Sequence, residues 1–258
     1  MGTSGRGAGN GAGPGARRAV STRGPAGVRG YGQVRMAIDE SLHVRIAAEA
    51  LGEVDSVDSA RVRRLALAAA RLQGHPNLVP VYDVVETRGV VWCIRALVPC
   101  PSLADPYLHG PWPAEMVWEF AKALLDALAA MREVGIVHGD VRPANVLQNK
   151  ERWVPLPGIR ARERRDDDTI DDGTWLTGSA NYVAPELLFG ARPAPSGDLF
   201  SVGATLCHLL AGSPPFQRHS IAETLSAVAQ EDLPPLSRVG ELALRPAPVT
   251  HSAQCRWW

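Results

Sequence analysis

The spacing of hydrophobic positions changes partway along the chain. Up to about residue 98 they alternate in short runs, and from about residue 111 they recur at helical intervals. The stretches "GVRGYGQVRMAID" and "HVRIAAEAL" predict strands around a glycine-rich turn. "DSARVRRLALAAARLQG" predicts a helix, with Asp58 or Ser59 as its cap and Gly74 as its stop. "NLVPVYDVVE" and "GVVWCIRALV" predict a strand pair turning at Arg88-Gly89. In "PAEMVWEFAKALLDALAAMREVG", Val117, Phe120, Leu124, Leu128 and Met131 share one helical face. The same spacing puts Leu199, Val202, Leu206, Leu209 and Leu210 on one face of a second helix, ended by Gly212 and Pro214-Pro215. A third helix is expected over "SIAETLSAVAQED". The elements add up to an α+β chain: a small sheet with one helix, then a mostly helical half. No internal repeat is visible.

Composition narrows the classes. The 258 residues, 45% hydrophobic, suffice for one large domain or a two-lobed one. A formal net charge of +0 gives no electrostatic case for nucleic acid or an acidic membrane as partner. No apolar run approaches the roughly 20 residues of a membrane span. Cys93, Cys100, Cys207 and Cys255 form no CxxC pair and read as small apolar residues of a reduced, cytoplasmic protein. Residues 1–25 are too polar and Gly-rich for a signal peptide and are expected to be a disordered lead. The charge run "RARERRDDDTIDDGTW" has no core-forming period and is expected to be an exposed, mobile loop. Only two lysines occur, Lys122 and Lys150, so the first 121 residues contain none.

One stretch carries chemistry: "GIVHGDVRPANVL", residues 135–147. Four residues separate Asp140 from Asn145, the spacing by which phosphoryl-transfer loops orient a hydroxyl with an acid and hold a metal with an amide. Taken alone, Asp140 is an ordinary loop acid and Asn145 an ordinary turn residue. The order and spacing of Ala184-Pro185-Glu186 and Asp198 downstream are not explained that way.

Together these pieces resemble the eukaryotic-type protein kinase family, in texture the bacterial serine/threonine kinases, from about Gly27 to Ser237. "HGDVRPANVL" resembles the catalytic loop, "GSANYVAPE" the end of the activation segment, and "GDLFSVGATLCHLLAGSPPF" the central helix of the larger lobe. The resemblance implies a two-lobed fold: a β-rich N-lobe over residues 26–98, a helical C-lobe over 99–244 that is incomplete, and an irregular tail over 245–258. It places Asp140 at the catalytic base, Asn145 at the metal and Asp198 where it braces the catalytic loop. Arg142 stands at the catalytic-loop lysine. Gly27, Gly30 and Gly32 fall in the loop over the phosphates, and Leu97 in the hinge that meets the nucleotide. ATP and Mg2+ are the implied cofactors, and a protein the implied substrate or partner.

The departures fall where phosphate charge must be met. The family's strand lysine aligns on Glu49, a charge reversal that no register shift repairs, since no lysine is near. Leu65 stands where a helix glutamate would hold that lysine, and no acid lies between Ala60 and Gly74. Leu156-Pro157-Gly158 replaces the metal-binding Asp-Phe-Gly, and no aspartate lies between Val146 and Arg165. Gly139 replaces the arginine before the catalytic aspartate, and Arg29 replaces the middle glycine of the phosphate loop, either crowding it or serving as a substitute cation. The position guarding the back of the cleft is Arg95. It either pairs with Glu49 across the cleft or reaches out to solvent. The Pro-rich ending "LRPAPVTHSAQCRWW" replaces two further helices, as in a truncated or frame-shifted frame; Leu206 and Leu209 are then expected to lose cover and Glu186 its arginine partner. The reading these features favour is a pseudokinase serving as a regulatory or scaffold module. The alternatives are an active serine/threonine kinase using an atypical arginine, and a truncated product without function.

Overall fold

The turn at Arg88-Gly89 forms as expected: both residues have positive φ, 51° and 75°, the combination that matches the twist of a tight hairpin. It joins strand β5 (Val81–Thr87) to β6 (Val90–Ala96). The computed structural model describes residues 20–22, 28–29, 32–39, 43–53, 59–104, 110–148, 153–155 and 179–234. Before the hairpin come β1 (Val20–Thr22), β2 (Val28–Arg29), β3 (Gly32–Asp39) and β4 (Val44–Glu53). The strands form an antiparallel sheet in the order β1-β3-β4-β6-β5, with β2 pairing β3. β1 lies within the stretch expected to be a disordered lead; its β-prone Val-Ser-Thr pairs with Ala37–Asp39 instead. Gly27, Gly30, the Leu156-Pro157-Gly158 tripeptide, the charge run and the tail from Arg245 lie outside the described residues.

Helix α1 (Ser59–Ala70) covers one face of the sheet. Its Val62, Ala66 and Ala69 meet Val81, Val84, Val91 and Cys93 of the strands, and the same cluster takes in Ala127 and Met131 of α2 (Ala114–Glu133). That cluster ties the sheet to the helical half. The remaining helices are α3 (Pro185–Leu188), α4 (Pro195–Ala211) and α5 (Ile221–Gln230). α5 starts at the expected place because the Ser220 side chain accepts the Glu223 backbone N–H.

The helical half is built on the α2–α4 contact. Phe120 and Leu124 of α2 and Val202 and Leu209 of α4 enclose Val141 and Val146. Trp112 packs edge-to-face on Phe120, centroids 6.2 Å apart. Gly212 ends α4 with φ 75°, and a Cβ there would stand 2.9 Å from Pro111, so glycine is required twice over. Two expectations are corrected. Leu199 does not join the buried face; it is 57% exposed, because that face runs through Asp198, Ser201, Val202 and Thr205. Leu209 does not lose cover: it is buried against Trp112 and Val117, with Leu206 and Leu210 partly buried beside it. Among the described residues, no helix is long and apolar enough to cross a membrane.

Candidate functional site

The loop after α2 is shaped by its polar backbone. Val141 and Val146 are anchored in the α2–α4 core, so the residues between them must turn sharply. Pro143–Asn145 form a single 3₁₀ turn, and Gly139 adopts φ 70°, the left-handed region open to glycine. Two loop amides would be buried without partners. Asp198, itself buried in the first turn of α4, accepts both: His138 N at 2.9 Å and Gly139 N at 2.7 Å. Asp198→Asn replaces one acceptor oxygen with a donor facing an N–H. It should cost about 1.5–3 kcal/mol, the range for a hydrogen bond to a charged group, read by urea denaturation.

The loop brings Asp140, Arg142 and Asn145 together. Asn145 Nδ2 donates to Asp140 Oδ2 at 2.7 Å and to the Asp140 carbonyl at 2.8 Å. Arg142 Nε lies 3.4 Å from Asp140 Oδ1, an ion-pair distance not aligned as a hydrogen bond. Ser179 Oγ donates to the same Oδ1 at 3.3 Å. Asp140 is thus held on both oxygens by the protein itself. Sequence reasoning missed Ser179, whose contact spans 39 residues; its only signal is its place in "GSANYVAPE". It also missed Tyr182, whose hydroxyl lies 2.6 Å from His208 Nδ1 while Ser201 Oγ donates to its carbonyl. Burial pushes the Tyr182 hydroxyl above its ordinary range, so it keeps its proton. Tyr182, Ser179, Val183 and Leu187 line a small cleft beside Asp140.

The second cluster sits on the sheet. Register places Ala47 opposite Arg95 and Glu49 opposite Cys93, so Glu49 and Arg95 are diagonal neighbours on one face. Arg95 Nε donates to Glu49 Oε2 at 3.1 Å. The side chains are 7% and 33% exposed, so the guanidinium does not reach out to solvent. The Cys93 thiol between them is pushed up to about 12 by burial first and Glu49 second, and so stays neutral and unreactive. Leu97 follows β6 and is half-buried, and Gly32 opens β3. Leu147, just past the catalytic loop, is buried with Val79 against Ala96 and Val98. Leu65 packs as a partly buried apolar residue in the α1 cluster.

These residues do not fit a metal-bound nucleoside triphosphate. The resemblance puts Glu49 where phosphates would need a cation, and Arg95 beside it is committed to that carboxylate. Among the described residues no group of three His, Cys, Asp or Glu side chains is placed to hold a metal ion. β8 (Trp153–Pro155) pairs with β7 (Val146–Gln148) and ends one residue before Leu156. Glu186 makes no ion pair among the described residues.

The family model described as protein kinase domain matches residues 25–243. The serine/threonine-protein kinase PknF of Mycobacterium tuberculosis is 34% identical over 229 residues, covering 84% of this chain and 48% of that protein. PknB of Mycobacterium leprae is 30% identical over 223 residues, covering 82% and 36%. PknK of Mycobacterium tuberculosis is 31% identical over 222 residues, covering 82% and 20%. The chain spans less than half the length of these relatives. With a strand-rich lobe joined to a helical one, and a loop aspartate braced from the central helix, the chain belongs to the protein kinase domain family, on the side of the eukaryotic-type serine/threonine kinases of bacteria.

Proposed function

We propose that the chain is a catalytically impaired kinase domain, a pseudokinase acting as a regulatory or scaffold module on a protein partner. The observation that carries this reading is the 3.1 Å pair between Arg95 Nε and Glu49 Oε2. On the family resemblance Glu49 is a carboxylate at the lysine position, and the pair neutralises the Arg95 guanidinium beside it. Burial of Leu147 against Ala96 and Val98 supports the same reading, since an open base pocket would leave apolar side chains uncovered. The test is thermal denaturation with ATP, with and without Mg2+. The expected result is an unchanged midpoint in both. A magnesium-dependent rise with ATP would overturn the reading, because a ligand that binds the folded state must stabilise it.

A second reading, an active serine/threonine kinase with an atypical arginine, is favoured by one observation: the Asp140–Asn145 contact is intact at 2.7 Å. Arg142 or Arg29 would then supply the missing cation. The phosphotransfer assay described in the Discussion separates the two readings.

A further inference from the structure

We propose that the outward face of α2 is a dimerisation surface, on which a second copy of the chain docks its own α2 antiparallel. α2 turns Val117, Phe120, Leu124, Ala127 and Met131 into the core. Its opposite side carries Glu115, Trp118, Lys122, Leu125, Ala129 and Arg132, all exposed. These six follow one another at intervals of three, four, three, four and three residues. That rhythm keeps one seam of a helix turned toward a partner helix. Trp118 is 64% exposed and Leu125 41%. No other described helix carries two exposed large apolar side chains. One exposed leucine is ordinary. A tryptophan and a leucine two turns apart on one seam, with a lysine stem between them, make a continuous apolar strip.

The charges select the occupant and its direction. Glu115 opens the seam and Arg132 closes it, and neither makes an ion pair among the described residues. Lys122 is held by Glu119 at 2.8 Å, so the middle of the seam is neutral. Asp126, beside the seam, is committed to His75 and Asn77. A parallel second copy would set Glu115 on Glu115 and Arg132 on Arg132. An antiparallel copy, centred between Ala123 and Leu124, sets Glu115 against Arg132, Trp118 against Ala129 and Lys122 against Leu125, and the two-fold axis repeats each layer. Acid then meets base at both ends, the largest side chain meets a small one, and the lysine stem lies along a leucine. The two ends are about 26 Å apart along the axis, so both charge pairs form in one straight contact. The seam matches its own reverse, which makes a second copy the occupant. One helix per copy buries less than the roughly 1,200 Å² of a stable interface, so the dimer should be weak, with a Kd on the order of 10 μM. The seam includes none of Asp140, Glu49 and Arg95, so the inference holds whether or not the chain binds nucleotide.

The experiment is sedimentation velocity of the full chain from about 1 to about 100 μM, a range that brackets the expected Kd. The expected result is a monomer at the low end and a dimer at the high end. Trp118→Ala should leave a monomer throughout, since it removes the largest apolar contact twice. Glu115→Arg and Arg132→Glu should each move association to about tenfold higher concentration, because symmetry turns one substitution into two like-charge contacts. Mixed in equal amounts, these two variants should associate at the wild-type concentration, since both ends of one seam are then basic and both ends of the other acidic. A wild-type chain that stays monomeric at about 100 μM overturns the proposal. So does a dimer indifferent to Trp118→Ala, which would lie on another surface, and so does a mixture that associates no better than its components. All three substitutions are at exposed positions, and a urea midpoint near that of the wild type verifies that each variant is folded.

Discussion

Purified chain incubated with radiolabelled ATP should incorporate no label above that of an Asp140→Ala control, in magnesium or in manganese, into itself or into a basic protein substrate. The transferring phosphoryl group is anionic, and an enzyme must meet that charge with preorganised cations. Here Glu49 stands at the lysine position and holds Arg95 at 3.1 Å, so the nearest guanidinium is already neutralised. Asn145 offers a metal only a neutral amide oxygen, and magnesium prefers carboxylate and water oxygens. Losing one preorganised contact typically costs on the order of a hundred- to a thousandfold in rate. Two such losses, even when less than additive, leave little above background. Asp140 can still orient a hydroxyl, with no phosphoryl group held opposite it. Label above the control in either metal would sink the pseudokinase reading and make Arg142 and Arg29 the next residues to change.

Glu49→Lys should destabilise the fold by about 4 kcal/mol rather than restore a kinase. Breaking a buried ion pair costs about 3–5 kcal/mol because one charge is left without a partner. The Arg95 side chain is only 7% exposed, so it bears that cost in full; Glu49, at 33%, softens it. The new ammonium then adds like-charge repulsion. Glu49→Ala, without the repulsion, should cost less, about 3 kcal/mol, the low end of that range. Arg95→Met in the Glu49→Lys background should recover most of the loss, since an unpaired lysine at a partly exposed position can reach water. Urea denaturation of the wild type, Glu49→Lys, Arg95→Met and the double variant closes this cycle. If Glu49→Lys unfolds at the wild-type midpoint and ATP now raises its melting temperature, the pair is not structural and the cleft is a dormant nucleotide site.

Much of this was legible because it is local. Asp140 and Asn145 are joined by one 3₁₀ turn, so their spacing in the chain is their spacing in space. The Arg88-Gly89 turn was legible for the same reason. The absence of lysine from the first 121 residues is read directly from the chain. Leu199 was misplaced because hydrophobic periodicity assumes that buried positions are apolar. α4 buries Asp198, Ser201 and Thr205 instead, since that side must satisfy loop amides and the Tyr182 carbonyl. No apolar pattern marks such a face.

The sequence by itself determined the α+β order of elements, the family, and the loop carrying Asp140 and Asn145. All of these are carried by residue type and short-range spacing. The tertiary structure alone decided what Glu49 pairs with. Two placements were open to Arg95, and the choice depended on which residues β4 and β6 set side by side. The register that puts Ala47 against Arg95 and Glu49 against Cys93 makes the two charges diagonal neighbours, and burial of the guanidinium then makes the pair its lowest-energy state. Strand register is a long-range choice, made by the whole sheet burying its apolar face at once, and no stretch of a few residues contains it.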